Sequence, residues 1–287
     1  MDALSPEGLS EAHRNLVEAT WEFLRRFPQA HRERWPGVTA FRSRVPVSEA
    51  NQLILAEPPG DPEALLTGAR RFFPPGYPFE VLSPVGEGRD PFLRFPPPAS
   101  HDAPRLPGMW MDLPLSFPAP PPTLAVLDGA EGEALREFRK VMGTVYRIPG
   151  GLLRTIFPAT LSREEDPAVQ VRLCLGRSNG RPVAGSVLVV TGRTAGIYWV
   201  ATDPRHRRRG YGEAVTWAAL AAGRELGARV GFLQASPLGR PVYEHMGFRT
   251  VIEYLTWQPR RDGLSRARTA MRLLGTVLAS SVRRARA

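Results

Sequence analysis

Residues 200–212 read Val-Ala-Thr-Asp-Pro-Arg-His-Arg-Arg-Arg-Gly-Tyr-Gly, a basic turn with two glycines set between an apolar run and a helix-forming one. The chemistry this pattern offers is anion binding. A chain that passes sharply from strand to helix aims unpaired amide N–H groups and the positive end of the helix dipole at one point. Glycine at 210 and 212 lets the backbone approach a phosphate closely and take positive φ angles. Arg205, Arg207, Arg208 and Arg209 add positive charge around that point. The spacing Arg207-x-x-Gly210-x-Gly212 departs from the dinucleotide fingerprint and from the P-loop, which need Gly-x-Gly-x-x-Gly or a Gly-Lys-Ser/Thr ending. Read alone, the same residues also suit a solvated basic loop or a nucleic-acid patch.

The flanking elements narrow the choice. Residues 195–200 (Ala-Gly-Ile-Tyr-Trp-Val) read as a buried strand, and 213–226 as a helix with Val215, Ala218, Ala219, Ala222 and Leu226 on one face and Gly227 as its cap. About thirty residues beyond the turn, Gly231-Phe-Leu-Gln-Ala-Ser236 forms a short apolar strand, followed by Pro237-Leu-Gly-Arg-Pro-Val-Tyr-Glu-His-Met-Gly-Phe248. The first stretch resembles motif A of the GNAT (Gcn5-related N-acetyltransferase) superfamily, whose Arg/Gln-x-x-Gly-x-Gly/Ala loop holds the pyrophosphate of an acyl-coenzyme A. The second resembles motif B, in which a strand ends near the thioester and a short helix carries a Tyr before a closing Gly-Phe.

That resemblance implies an α+β fold, a mixed and mostly antiparallel central sheet flanked by helices. It implies acetyl-CoA contacts from Val200, Ala201, Thr202, Arg207, Arg208, Arg209, Gly210, Tyr211, Gly212 and Ser236, with the backbone of Val200 and Thr202 bonding the pantetheine arm between two splayed strands. Tyr243 becomes the candidate proton donor to the departing thiolate, the alternative being a core tyrosine tied to backbone. Tyr198 and Trp199 fall on the substrate side, and strict alternation sends one to the acceptor and the other to the core. Family members with a glutamate base carry it where Gly196 stands here, so no carboxylate is available at that point. Glu213 and Glu244 read as helix-surface ion-pair formers, and Asp203 and His206 as donors to the cradle or solvated groups. A water chain or an acceptor that arrives deprotonated stays open.

Periodicity places a strand at 123–127, helices at 131–146 and 151–157, strands at 169–175 and 182–191 joined by the hairpin chemistry of Ser178-Asn179-Gly180, and a last strand at 248–257. A catalytic GNAT domain is therefore expected over 123–258. Residues 114–122, rich in proline, read as a linker, and 1–113 as an N-terminal α/β region. That region shows a helix near 10–27, strands near 38–45 and 51–57, a helix near 62–73 and a strand near 79–83. This succession echoes part of the C-terminal domain and suggests a degenerate GNAT-like half. Its one candidate for a second cradle, Gly86-Glu-Gly88, is followed by Asp90-Pro91, which suits a surface turn better than an open helix N-terminus.

A chain of 287 residues, 43% hydrophobic, has ample material for two domains. Its single cysteine, Cys174, excludes an internal disulfide and reads as a buried thiol. With no evident signal peptide or bilayer-length apolar run, a cytoplasmic location is expected; no metal site is expected. Of the net charge of +10, eight arginines and one aspartate lie in 259–287, so the body is nearly balanced and nucleic acid is disfavoured as a partner. That tail places Leu264, Ala267, Met271, Leu274 and Leu278 at helical spacing. It suits an anionic membrane surface, or packing on the body or a second subunit in a homo-oligomer, and its narrow face without aromatics favours packing. The expected activity is acetyl-CoA-dependent N-acetylation of a primary amine on a small molecule or peptide by direct attack in a ternary complex. The alternatives are a non-catalytic acyl-CoA sensor and a nucleic-acid or membrane adaptor acting through the basic tail.

Overall fold

The computed structural model describes residues 5–85, 105–159, 161 and 167–258; the Gly86 to Gly88 turn and the tail 259–287 lie outside them. In chain order the elements are α1 (Pro6–Leu24), β1 (His31–Trp35), β2 (Val38–Arg42), β3 (Gln52–Leu55), α2 (Pro62–Phe72), β4 (Glu80–Pro84), β5 (Arg105–Asp112), β6 (Ala125–Asp128), α3 (Gly132–Tyr146), α4 (Gly150–Ile156), β7 (Gln170–Ser178), β8 (Arg181–Thr191), β9 (Thr194–Thr202), α5 (Tyr211–Glu225), β10 (Val230–Gln234), α6 (Arg240–His245) and β11 (Arg249–Trp257). Among the described residues no helix is long and apolar enough to cross a membrane.

The chain divides into two units, each discontinuous in sequence. The first takes the described parts of 1–20 and 107–251, and the second those of 21–106 and 252–287. This differs from the expected division at the proline run: residues 114–122 lie inside the first unit, where they lead from β5 to β6, and the unit also recruits most of α1. The segment 105–112 escaped sequence reading because Pro107-Gly108 breaks its strand signal. Its middle residues are buried on both faces, which removes the polar alternation of a half-exposed strand.

In the first unit the strands run β5-β10-β9-β8-β7-β6. All neighbours are antiparallel except β9 and β10, which are joined through α5 and run parallel. Asn179 (φ 50°) and Gly180 (φ 73°) make the tight turn between β7 and β8 that Asn-Gly predicts. One sheet face packs Leu188, Ile197 and Leu233 against Trp217 and Leu220 of α5 and Tyr243 of α6. Phe138 of α3 covers the other face, over Gly185.

In the second unit the order is β1-β2-β3-β4-β11, again antiparallel except for β3 and β4, which are joined through α2 and run parallel. Three antiparallel strands, a helix, a parallel strand and an antiparallel closing strand thus occur in both units. Neither unit takes its closing strand from its own continuation. β5 follows β4 in the chain yet pairs with β10, and β11 follows β10 yet pairs with β4.

Candidate active site

Parallel pairing of β9 with β10 runs from Thr194–Val230 to Ile197–Leu233 and stops. Since β9 continues to Thr202 and β10 ends at Gln234, a cleft opens beyond Ile197. On its other edge β9 carries a bulge: Val187 faces Tyr198, but Gly185 faces Ala201. The extra residue is accommodated at Trp199, whose φ of 53° is left-handed for a bulky side chain and costs about 1–3 kcal/mol. The expected alternation of Tyr198 and Trp199 therefore fails. Both turn to the face covered by α3, where Trp199 packs edge-on against Tyr146 and Phe157 at ring distances of 5.2 and 5.5 Å.

Past β9, Asp203 accepts a hydrogen bond from the Arg205 amide (2.9 Å) and closes a single 3-10 turn. Arg208 (φ 60°) and Gly210 (φ 74°) then bend the chain into α5. Among the described residues no backbone N–H from Arg207 to Glu213 donates to a protein acceptor, so the turn presents a row of open donors at the N-terminus of a fifteen-residue helix. Arg207, Arg208 and Arg209 are exposed around it. Tyr211 is turned inward, its hydroxyl bonded to Ser178 and Thr123 at 3.1 Å each, so it adds only its amide to the row of open donors. At Gly212 a Cβ would lie 3.1 Å from Thr202 Oγ1.

Two phenols flank the cleft. Tyr243 has its ring buried edge-on to Phe248, while its hydroxyl bonds to no group among the described residues, and burial pushes its pKa up to about 12. Tyr146, at the end of α3, donates a hydrogen bond to the Val200 carbonyl at 2.8 Å; burial of this hydroxyl, with a smaller contribution from Tyr243, raises its pKa. The Val200 carbonyl thus already accepts one hydrogen bond and keeps a second lone pair open. Ser236 has its hydroxyl on the Gly239 amide (3.1 Å), starting the turn into α6. Ala201 is buried opposite Gly185.

Gly196 lies on the same face as Tyr198, and its surroundings come from an unexpected source. The fully buried Asn15 of α1 fills the space above it: a Cβ at 196 would lie 1.8 Å from Asn15 Oδ1. The Asn15 amide nitrogen donates to the carbonyls of Val189 (2.9 Å) and Thr194 (3.3 Å) and to Thr191 Oγ1 (2.9 Å), and its oxygen accepts from the Tyr198 hydroxyl at 2.7 Å. The pair Glu11–Arg193 (2.9 Å) anchors the same helix to the turn before β9.

The model of an acetyltransferase (GNAT) domain matches residues 145–234, the stretch that holds the bulge, the cleft and the open turn. The first unit has the fold of a GNAT domain. Solved structures similar to this chain include a GCN5-related N-acetyltransferase from Kribbella flavida (19% identity, TM-score 0.62, covering 89% of this chain and 98% of that one). A GCN5-related N-acetyltransferase from Sphaerobacter thermophilus follows at 16% identity and TM-score 0.54, covering 79% and 78%. A tandem GNAT protein from the clavulanic acid biosynthesis pathway matches at 13% identity and TM-score 0.54, covering 87% and 95%. At such identities the likeness is one of fold. No curated protein matches the sequence significantly.

Within the first unit the turn 207–212 follows directly on β9 and Tyr243 packs in the same core as Ile197 and Leu233, while the Ser236 side chain serves the α6 turn. Glu244 pairs with Arg240 (2.8 Å) and Glu213 accepts from Trp217 (3.3 Å), each a bond to a residue one turn away on its own helix. Burial holds the Cys174 thiol at about 12, so it stays neutral. Among the described residues no cluster of three metal-ligating side chains occurs. Sequence reading missed Tyr146 and Asn15. Tyr146 is an ordinary helix-end aromatic, and Asn15 lies 183 positions before its partner, so no local signal marks either.

Proposed function

We propose that this chain is an acetyl-coenzyme A-dependent N-acetyltransferase that passes the acetyl group directly to a primary amine of a small molecule or peptide. The open amides of residues 207–213, at the mouth of a cleft between two parting parallel strands, carry the reading. They fit a diphosphate: the donors are preset, the dipole has the right sign and Gly210 has no Cβ to intrude. Arg207, Arg208 and Arg209 would neutralise its charge. Val200 and Thr202 would align the pantetheine arm along β9. Bound acetyl-CoA supplies an activated thioester.

The chain's own part is then geometry. An amide of β9 just after Trp199, beside the bulge, would stabilise the developing oxyanion, and Tyr243 would donate toward the departing sulfur. Position 196 has no room for a carboxylate, so the acceptor must attack as a neutral amine, losing its proton to water or before binding. The same feature supports a second reading, an acyl-CoA sensor without turnover. Steady thiol release with an amine acceptor would remove that alternative.

The second unit fits a degenerate GNAT-like half that binds no coenzyme. Its counterpart of the cradle is the β3–α2 loop, where Asp61 Oδ1 accepts from the Ala64 amide (3.0 Å) and Pro62 removes a donor. A carboxylate sits where a phosphate would need to be.

Calorimetry and thermal shift test this together. One acetyl-CoA should bind per chain, and at a hundredfold excess over Kd it should stabilise the protein by about 2.7 kcal/mol. Gly210→Asp should lose both signals; wild type and variant responding alike, or not at all, would refute the transferase assignment.

A further inference from the structure

Two residues of β9 have no strand residue paired with them on either edge. Pairing with β10 ends at Ile197, and pairing with β8 passes from Tyr198 to Ala201, which leaves out Trp199 and Val200. Trp199 also holds its left-handed φ of 53°. A strained stretch of this kind persists only where its surroundings fix it. Phe157 packs edge-on against the Trp199 ring, and the Val200 side chain packs against the core beneath α5. Tyr146 grips both residues at once: its ring lies edge-on to Trp199 at 5.2 Å and its hydroxyl donates to the Val200 carbonyl at 2.8 Å.

The phase of the ladder places that bond. The Asp203 amide donates to the Val183 carbonyl at 2.8 Å. Residues bonded to the neighbouring strand alternate along an antiparallel ladder, so Ala201, opposite Gly185, turns its N–H and C=O toward β8. The Val200 carbonyl opposes the Ala201 N–H across one trans peptide and therefore points the other way, to the edge that β10 has left. The Tyr146 hydroxyl thus reaches the cleft side of β9. It also lies within electrostatic reach of Tyr243, which packs on the opposite face of the sheet.

We propose that Tyr146 is a positioning residue for acetyl transfer, holding the unpaired stretch of β9 so that its backbone is aimed into the cleft; the inference rests on the acetyltransferase reading above. With its side chain against the core and its carbonyl held, Val200 is fixed on two sides of its Cα, and the N–H on the third side is aimed with them. That N–H is the amide just after Trp199 which, in the reading above, meets the oxyanion. A donor stabilises developing charge best when it is preset, and loses much of its effect when it must reorganise. Tyr146 acts through Val200 on the thioester, so its contribution is the same whichever amine attacks.

The test uses the full chain with acetyl-CoA and three amines, n-butylamine, glycinamide and lysinamide. Tyr146→Phe keeps the ring against Trp199 and should lower kcat about tenfold or more, by the same factor for each amine turned over. KM for acetyl-CoA and its thermal shift should stay within about twofold, since the open amides 207–213 are untouched, and the Tm of the free protein should match wild type. Tyr146→His, which keeps a ring and a donor, should recover part of the loss. A merely structural Tyr146 would instead lower Tm and move KM for acetyl-CoA together with kcat, and that result, or loss of the fold in Tyr146→Phe, overturns the proposal. So does an unchanged kcat, an effect confined to the amine KM, or a loss that differs widely from one amine to another. Wild type that binds acetyl-CoA yet turns over none of the amines overturns it as well. Failure of wild type to bind acetyl-CoA overturns the transferase reading instead.

Discussion

At the residue scale, the proposed function gives Tyr243 the leaving-group chemistry. Its hydroxyl, pushed up to about 12, stays protonated across the neutral range, whereas a thiol has a pKa near ~8.5. Full proton transfer to a free thiolate would be uphill by about 5 kcal/mol, so the role that fits is a hydrogen bond to sulfur as charge builds, with the proton arriving later. Tyr243→Phe should lower kcat by roughly 10–100-fold while leaving acetyl-CoA affinity near that of wild type, as read by steady-state thiol release and calorimetry. The raised pKa moves ionisation of the phenol upward, so no basic limb should appear below about pH 10. With no carboxylate at 196, the acid limb should follow the pKa of the amine supplied. A limb fixed near 4–7 whatever the amine would point to a protein base.

At the element scale, α1 and β9 share one packing solution. The helix drives an asparagine into the sheet only because residue 196 has no side chain, and the asparagine is stable there because every polar atom is bonded. Gly196→Ala should therefore destabilise the fold by about 1–3 kcal/mol, a drop of several degrees in Tm. Gly151→Ala is the matched control: it lies inside α4 with nothing within 4 Å of a Cβ, and alanine there should stabilise by about 0.5–1 kcal/mol. Equal melting temperatures for the two variants would contradict the packing described. The helices and hairpins around this contact were readable from local pattern, as at Asn179-Gly180. The bulge at Trp199 was not, because period-two alternation has no term for an extra residue set by the partner strand.

At the scale of the whole molecule, the second unit carries its own titration. Glu80 on β4 accepts hydrogen bonds from the amides of Gln52 and Gln258, residues far apart in the chain. Burial, with the charge of Glu49 adding to it, pushes its carboxyl from 4.5 to about 7. Between those values the folded chain holds a proton that the unfolded chain has released, so stability falls as pH rises through this window, by up to about 3 kcal/mol. Glu80→Gln should flatten that loss, with a Tm above wild type at pH 8 and close to it at pH 4.5. Parallel Tm–pH curves for the two proteins would show that Glu80 does not titrate this way. The division into units belongs to this scale too. Prolines 118–122 look like a boundary in sequence, yet they run within the first unit, because what defines a unit is which strands pair.

The open turn 207–213, the order of elements after residue 123 and the helix that carries Tyr243 were set within windows of a few tens of residues, since glycine, arginine and apolar spacing act locally on backbone angles and helix dipoles. Folding in three dimensions alone decided that β5 and β11 close units other than those they follow, that Tyr146 holds the Val200 carbonyl, and that Asn15 takes the place of a side chain at 196. Each of these is a pairing between groups brought together from distant parts of the chain. Neither partner alone carries a mark of the other, because what selects the contact is the hydrogen bond or the volume left when both are in place.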